Sequence, residues 1–245
     1  MELMPLLAAP AVGSLLGVLI RRLPRGEKVA LSRSRCESCG AALGPLDLVP
    51  LLSWLWLRGR CRHCGAPIDP FHWHIELAAV AVAASAVVAA GDASLAWLGC
   101  GLGWTLLALA WIDIEWLILP DALTLPLLLA GLGATWLTAP EALADAAIGA
   151  ALGWLVFAAV AAGYRALRKR EGLGGGDAKL LAAAGAWLGW QALPDVMLLA
   201  AVTALAATAA LRLARRQAFN GAPLAFGPWL ALAIWLVWLY DSMPG

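Results

Sequence analysis

The chain has 245 residues, of which 62% are hydrophobic and only 13% charged, and its formal net charge is +1. A mean hydropathy of +0.81 lies well outside the range of soluble domains, so the composition excludes a water-soluble globular protein and points to a polytopic membrane protein. The near-neutral total says little about partners, because the charges are segregated along the chain.

A helix rises 1.5 Å per residue across roughly 30 Å of hydrocarbon, so apolar blocks of about 17 to 25 residues are the unit to seek. Eight are predicted, at about 3–20, 73–90, 93–111, 117–137, 141–163, 178–191, 195–211 and 224–240. They define an all-α fold of about eight transmembrane helices, organised as a first helix over 1–20, a cytoplasmic domain over 21–72 and a membrane domain over 73–245. The first block reads as a membrane helix rather than a cleavable signal peptide, because no basic residue precedes it and arginines follow it at once. All 17 Lys and Arg fall between Arg21 and Arg62, between Arg165 and Lys179, or between Arg212 and Arg216. With eight spans these lie on one side of the membrane, whereas the other side carries Glu2, Asp92, Glu141, Asp145, Asp195 and Asp241. The positive-inside rule makes the basic side cytoplasmic and puts both termini outside. Topology accounts for the arginines, so membrane lipids and not nucleic acid are the expected surroundings.

The insert after the first helix contains a repeat, "CESCGA" from Cys36 and "CRHCGA" from Cys61, in the pattern C-x2-C-x21-C-x2-C. Two residues between cysteines let both thiolates face one tetrahedral metal, and the following glycine accommodates a tight turn. Two disulfides are the alternative, which a reducing cytoplasm disfavours. Cys36, Cys39, Cys61 and Cys64 would close the tetrahedron, so the expected zinc is structural and leaves no position for a reacting water. His63 reads as solvated, His72 and His74 as interfacial packing, and Cys100 as a small buried hydrophobe. The apolar run Leu48 to Leu57 is too short to span, so it is expected on the bilayer surface or within the zinc domain.

Charged residues within or beside spanning helices are costly and therefore functional candidates. Asp113, Glu115 and Asp121 occur in "WIDIEWLILPDALTLPL", where Pro120 and Pro126 are expected to interrupt the start of the fourth helix, and Asp177 occurs in "GLGGGDAKLL". Glu76 is a fifth acid, placed where a helix N-terminus favours negative charge. The block after Asp177 is only about 20 Å of helix, short of the hydrocarbon thickness. Irregular backbone at that depth is tolerated only where protein or a wet cavity surrounds it, so the glycines are expected to let a loop approach its neighbours closely and carry Asp177 into a pocket. Two aspartates meeting there would hold one proton between them, which supplies an acid and a base for attack of water on a peptide carbonyl. An ion or proton transporter would use the same acids as a pathway, and a scaffold built on the cysteine domain would use neither aspartate.

These stretches, with "GSLLGVLIRRLP", "VPLLSWLWLRGRCRHCGAPI", "IEL" and "FGPWLALA", together resemble the type IV prepilin peptidases, membrane aspartic proteases of the Gly-x-Gly-Asp class. The resemblance covers nearly the whole chain. It implies that Asp113 and Asp177 are the catalytic pair, that Gly174 and Gly176 are the named glycines, and that Asp121, Lys179 and Glu76 have supporting roles such as orienting or charge balance. It implies prepilin or pseudopilin substrates, with a short basic leader cut after glycine at the cytoplasmic face of the inner membrane. It also implies methylation of the new N-terminus with S-adenosylmethionine. The chain departs from the family pattern at Gly17, in "LDLVPLLSW" and in "FHWHIEL", all in the N-terminal half, so the departures bear on methyl transfer more than on proteolysis.

Overall fold

A computed structural model describes residues 3–28, 34–168, 174–215 and 225–243. Glu2, Arg33, Lys169, Arg170, Gly172 and Arg216 of the sequence reading lie outside the described residues. Among the described residues the architecture is all-helical, and extended pairing is limited to two isolated bridges, Arg35 with Ala42 and Arg60 with Pro67. In chain order the helices are α1 (Met4–Arg22), the short α2 (Leu52–Trp56), α3 (Phe71–Ala89), α4 (Ala93–Trp116), α5 (Asp121–Thr138), α6 (Leu143–Arg168), α7 (Gly175–Leu188), α8 (Leu193–Arg215) and α9 (Gly227–Ser242).

All of these except α2 coincide with the predicted apolar blocks. Among the described residues six spans are long and apolar enough to cross a membrane, while α7 and α9 have 14 and 16 residues. Large apolar side chains such as Val88, Leu129, Leu205 and Leu213 point outward, an arrangement that water would penalise and lipid accepts. The chain is a multi-pass membrane protein.

Several boundaries differ from the sequence expectation by a few residues, and three of them bear on the acidic residues. α4 continues past residue 111 to Trp116, because Ile112 is fully buried and Asp113 finds a backbone partner. The next helix begins at Asp121 rather than 117, since Leu117 adopts φ 55° and Pro120 is the extended N-cap. Pro126 lies inside α5, and the helix runs through it. α7 begins at Gly175, so Asp177 sits in its first turn and not in the preceding loop.

The chain forms two compact units, residues 1–104 with 243–245, and residues 105–242. In the first, α1 packs on α3, and a side chain at Gly13 would place its Cβ 2.6 Å from the Glu76 Cα. In the second, α7 packs against α5, α6, α8 and α9. Gly185 of α7 meets the Gly149 backbone of α6, and a Cβ on Gly153 would lie 2.5 Å from the Leu181 carbonyl oxygen. The small residues thus allow backbone to approach backbone, as expected where helices associate without a hydrophobic driving force. The Trp187 indole N–H donates to the Leu127 carbonyl at 2.9 Å, tying α7 to α5. Every residue from Leu180 to Ala186 is buried. A short helix is tolerable here because protein encloses it.

Candidate active site

Asp113 stands on the last turn of α4 and is 6% exposed. Its Oδ2 accepts the Gly227 N–H at 2.9 Å, at the first residue of α9. The contact leaves no room for a side chain at that position: a Cβ on Gly227 would lie 2.8 Å from the same oxygen. A helix N-terminus offers unsatisfied N–H groups and a partial positive charge, so α9 both holds and stabilises the carboxylate.

Asp177 stands on the first turn of α7 and is 8% exposed. Gly174 is the N-cap and its backbone is hydrogen-bonded to the Asp177 carboxyl, the acid of the third helical position reaching back as in a capping box. The Asp177 N–H in turn donates to the Gly174 carbonyl at 3.1 Å. The glycines have unequal reasons to be there. A Cβ on Gly176 would lie 2.7 Å from the Leu119 Cβ, so the connection between α4 and α5 fits over α7 only without a side chain there. Gly174 makes only ordinary contacts, and Gly175 faces open space.

The structure brings Asp113 and Asp177 within electrostatic reach of each other. Two buried carboxyls, each held by backbone at the start of a helix, can share one proton and so present an acid and a base together. Asp121 and Lys179 form an ion pair with each other, from the first residue of α5 to the first turns of α7. Glu115 is exposed and accepts the Trp111 indole N–H at 3.0 Å. Glu76 belongs to the first unit, in the second turn of α3 and not the first, because the helix already begins at Phe71; it is 8% exposed and its Oε2 accepts the Leu51 N–H at 2.7 Å.

The four cysteines gather in the first unit, with all four sulfurs within 4.8 Å of one another. The Cys36 and Cys64 sulfurs are 3.9 Å apart, and a tetrahedron with metal–sulfur distances of about 2.3 Å has edges of roughly 3.8 Å. No disulfide joins them. The two knuckles repeat one another: Cys36 N–H donates to Ala41 and Gly40 N–H to Cys36, while Cys61 N–H donates to Ala66 and Gly65 N–H to Cys61. Gly40 and Gly65 have φ of 70° and 69°, a left-handed conformation that explains the glycine after each pair. Hydrogen bonds from the Cys39 and Ser38 backbone, and then from Cys61, pull the Cys36 thiol down to about 6. The Ala66 backbone pulls Cys64 the same way, but burial and the neighbouring Cys39, Cys61 and Cys36 thiols push it up to about 11. These sulfurs are placed to hold a metal ion.

Sequence reasoning did not find Gly227 as the partner of Asp113, although "FGPWLALA" contains it, nor Leu119 over Gly176, nor Leu51 on Glu76. No periodicity marks such contacts.

The profile described as "Bacterial Peptidase A24 N-terminal domain" matches residues 7–90, and that of the "Type IV leader peptidase family" matches residues 100–209. Among curated relatives, the prepilin leader peptidase/N-methyltransferase of Aeromonas hydrophila is 42% identical over 212 residues, covering 86% of this chain and 72% of that one. The protein of the same name from Burkholderia pseudomallei (strain K96243) is 46% identical over 209 residues, covering 85% and 67%, and that from Stutzerimonas stutzeri is 36% identical over 255 residues, covering 94% and 88%. No solved structure gives a significant match. With both halves matched and the acidic pair, the glycine turn and the cysteine knuckles in place, the chain belongs to the type IV leader peptidase family.

Proposed function

We propose that this chain is a membrane aspartic endopeptidase that cleaves the basic leader of type IV prepilins or pseudopilins at the cytoplasmic membrane face and methylates the new N-terminal residue. The single observation that carries the reading is the pair of buried carboxyls, Asp113 at the end of α4 and Asp177 at the start of α7, within electrostatic reach of each other. One takes a proton from the water that attacks the scissile carbonyl. The other gives its proton to the leaving amine as the C–N bond breaks, and the pair has then exchanged roles. Gly176 lets Leu119 close over α7, Gly174 caps it, and the Asp121–Lys179 pair fastens the starts of α5 and α7.

A zinc ion on Cys36, Cys39, Cys61 and Cys64 would be structural, its four positions filled by sulfur. S-adenosylmethionine, when bound, supplies a methyl group on a cationic sulfur, which the free N-terminal amine takes as the carbon–sulfur bond breaks and a proton leaves nitrogen. The functional division is a first membrane helix over 1–20, the four-cysteine domain over 21–72 and the peptidase over 73–245. Compactness alone divides the chain at Trp104, because α3 packs on α1. The basic loops, the four-cysteine domain and the aspartates face the cytoplasm of a bacterial inner membrane, with both termini outside.

Purified protein incubated with a synthetic prepilin tests this by mass spectrometry. Asp113→Asn and Asp177→Asn should each slow leader removal by about a thousandfold or more, within what acid–base groups contribute. Normal processing by either variant rejects the assignment.

A further inference from the structure

The first unit contains a cavity of about 270 Å³, just under the usual range of small-molecule sites, which takes no part in the proteolytic chemistry. It lies between α1, α3 and the cysteine insert, whose Cys36 and Cys61 form part of the wall. Three features of that wall point to one kind of ligand.

Trp54 of α2 and Trp73 of α3 line the cavity with their ring centroids 5.6 Å apart. The indole N–H groups of both are buried and have no hydrogen-bond partner among the described residues. The two rings form an aromatic wall suited to a flat guest. The carboxylates provide the second feature. Asp47 is paired with Arg62 at 2.8 Å and Asp69 with Arg21 at 2.7 Å, while Glu37 is exposed. Glu76 lines the same cavity, is 8% exposed, and has no cationic partner among the described residues. The Leu51 N–H holds one of its oxygens at 2.7 Å and the Ser14 side chain is a second hydrogen-bond partner, and neither brings a charge. A buried carboxyl without a charged partner is best accommodated as a carboxylate beside a cation, so it favours one in the space it faces. Third, Arg21 and Arg22 also line the cavity and bring guanidinium N–H donors suited to a carboxylate.

A flat heterocycle, a positive centre and a carboxylate are combined in S-adenosylmethionine. We infer that this cavity is the methyl-donor site, with the adenine against Trp54 and Trp73, the sulfonium facing Glu76 and the amino-acid carboxylate toward Arg21 and Arg22. The inference rests on the methyltransferase part of the proposed function and gives it a place. It also gives the cysteine knuckles a task beyond folding themselves, since they form a wall of the site.

The test measures binding rather than turnover. Full-length protein in detergent is titrated calorimetrically with S-adenosylmethionine and with S-adenosylhomocysteine, whose sulfur is neutral. Glu76→Gln keeps the shape and the acceptor for Leu51 and removes only the charge. It should weaken S-adenosylmethionine about tenfold or more, the scale of one charged interaction, and leave S-adenosylhomocysteine within about twofold. Trp54→Leu and Trp73→Leu keep an apolar side chain and remove the aromatic wall, and each should weaken both ligands alike, by about fivefold. Variants are compared only where their melting matches the wild type. Equal weakening of both ligands by Glu76→Gln, or unchanged binding in all three variants, overturns the site. If the wild type then still methylates a pre-cleaved pilin peptide, the methyltransferase reading survives without this cavity. A wild type that neither binds S-adenosylmethionine nor methylates removes that reading as well, and leader cleavage by Asp113 and Asp177 remains a separate result.

Discussion

The two units of this protein place polar groups in apolar surroundings by different means. In the first, four thiols come together through two local turns, each closed by its own backbone hydrogen bonds and a left-handed glycine. In the second, two carboxyls come from different helices, and their placement depends on α7 being enclosed by helices that approach it over small residues. The first arrangement is short-range and depends on what the thiols bind. The second is long-range and depends on close packing, so the two should fail independently and under different insults.

The sharpest test of the contrast is removal of metal. Metal binding contributes about 10–16 kcal/mol to small zinc-folded domains, which exceeds what the few buried residues of the insert supply. Chelation, or Cys61→Ser, should abolish hydrogen-exchange protection across residues 34–69 while the buried amides of α7 keep theirs. Protection that persists in the insert without metal would mean that the knuckles fold by backbone bonding alone. The reciprocal insult is Gly185→Leu, which drives a side chain into the Gly149 backbone. It should destabilise the second unit by about 3 kcal/mol, the upper range for overpacking, and leave metal content unchanged. Gly133→Leu is the control, because nothing lies within 4 Å of a Cβ there, and its melting should match the wild type.

The same contrast explains what could be read from the sequence. The knuckles were legible because their whole logic is spacing: C-x2-C followed by glycine predicts both the ligand geometry and the turn. The apolar blocks were legible through length, and Asp113 and Asp177 stood out as charges that lipid would reject. Gly227 was not legible as a partner of Asp113, because the hydrogen bond joins residues far apart in the chain, the end of α4 and the first residue of α9. The end of α4 was misplaced for a related reason: Asp113 looks like a helix terminator until Gly227 satisfies it. The glycine run was legible as a close approach, but its steric need resides in Gly176, whose neighbour Leu119 is a side chain on the preceding connection.

Gly227 offers a finer test of long-range placement. In Gly227→Ala the new methyl group would lie 2.8 Å from the Asp113 oxygen, so the carboxylate or the start of α9 must move. Displacement of a catalytic group by about 1 Å costs on the order of a hundredfold, so kcat should fall by about that factor while KM holds. A KM effect at constant kcat would place Gly227 on the substrate path instead.

The smallest effect belongs to the ion pair of Lys179 and Asp121. Lys179 is two residues from Asp177, which invites a role in the chemistry, but its ammonium is committed to the first residue of α5. With side chains 34% and 58% exposed, solvent screens the attraction, and such pairs contribute about 0–1 kcal/mol. Asp121 is already favourable at the N-terminus of α5 through the helix dipole, so removing its partner does not leave it stranded. Lys179→Met should therefore lower cleavage less than about fivefold, and wild type in 1 M salt should lose a similar part, because the screening length there is about 3 Å. The variant itself should be insensitive to added salt. A loss of a hundredfold that salt cannot imitate in the wild type would mean that the ammonium leaves Asp121 during turnover and acts at the aspartates, and would move Lys179 from fastening the site to working in it.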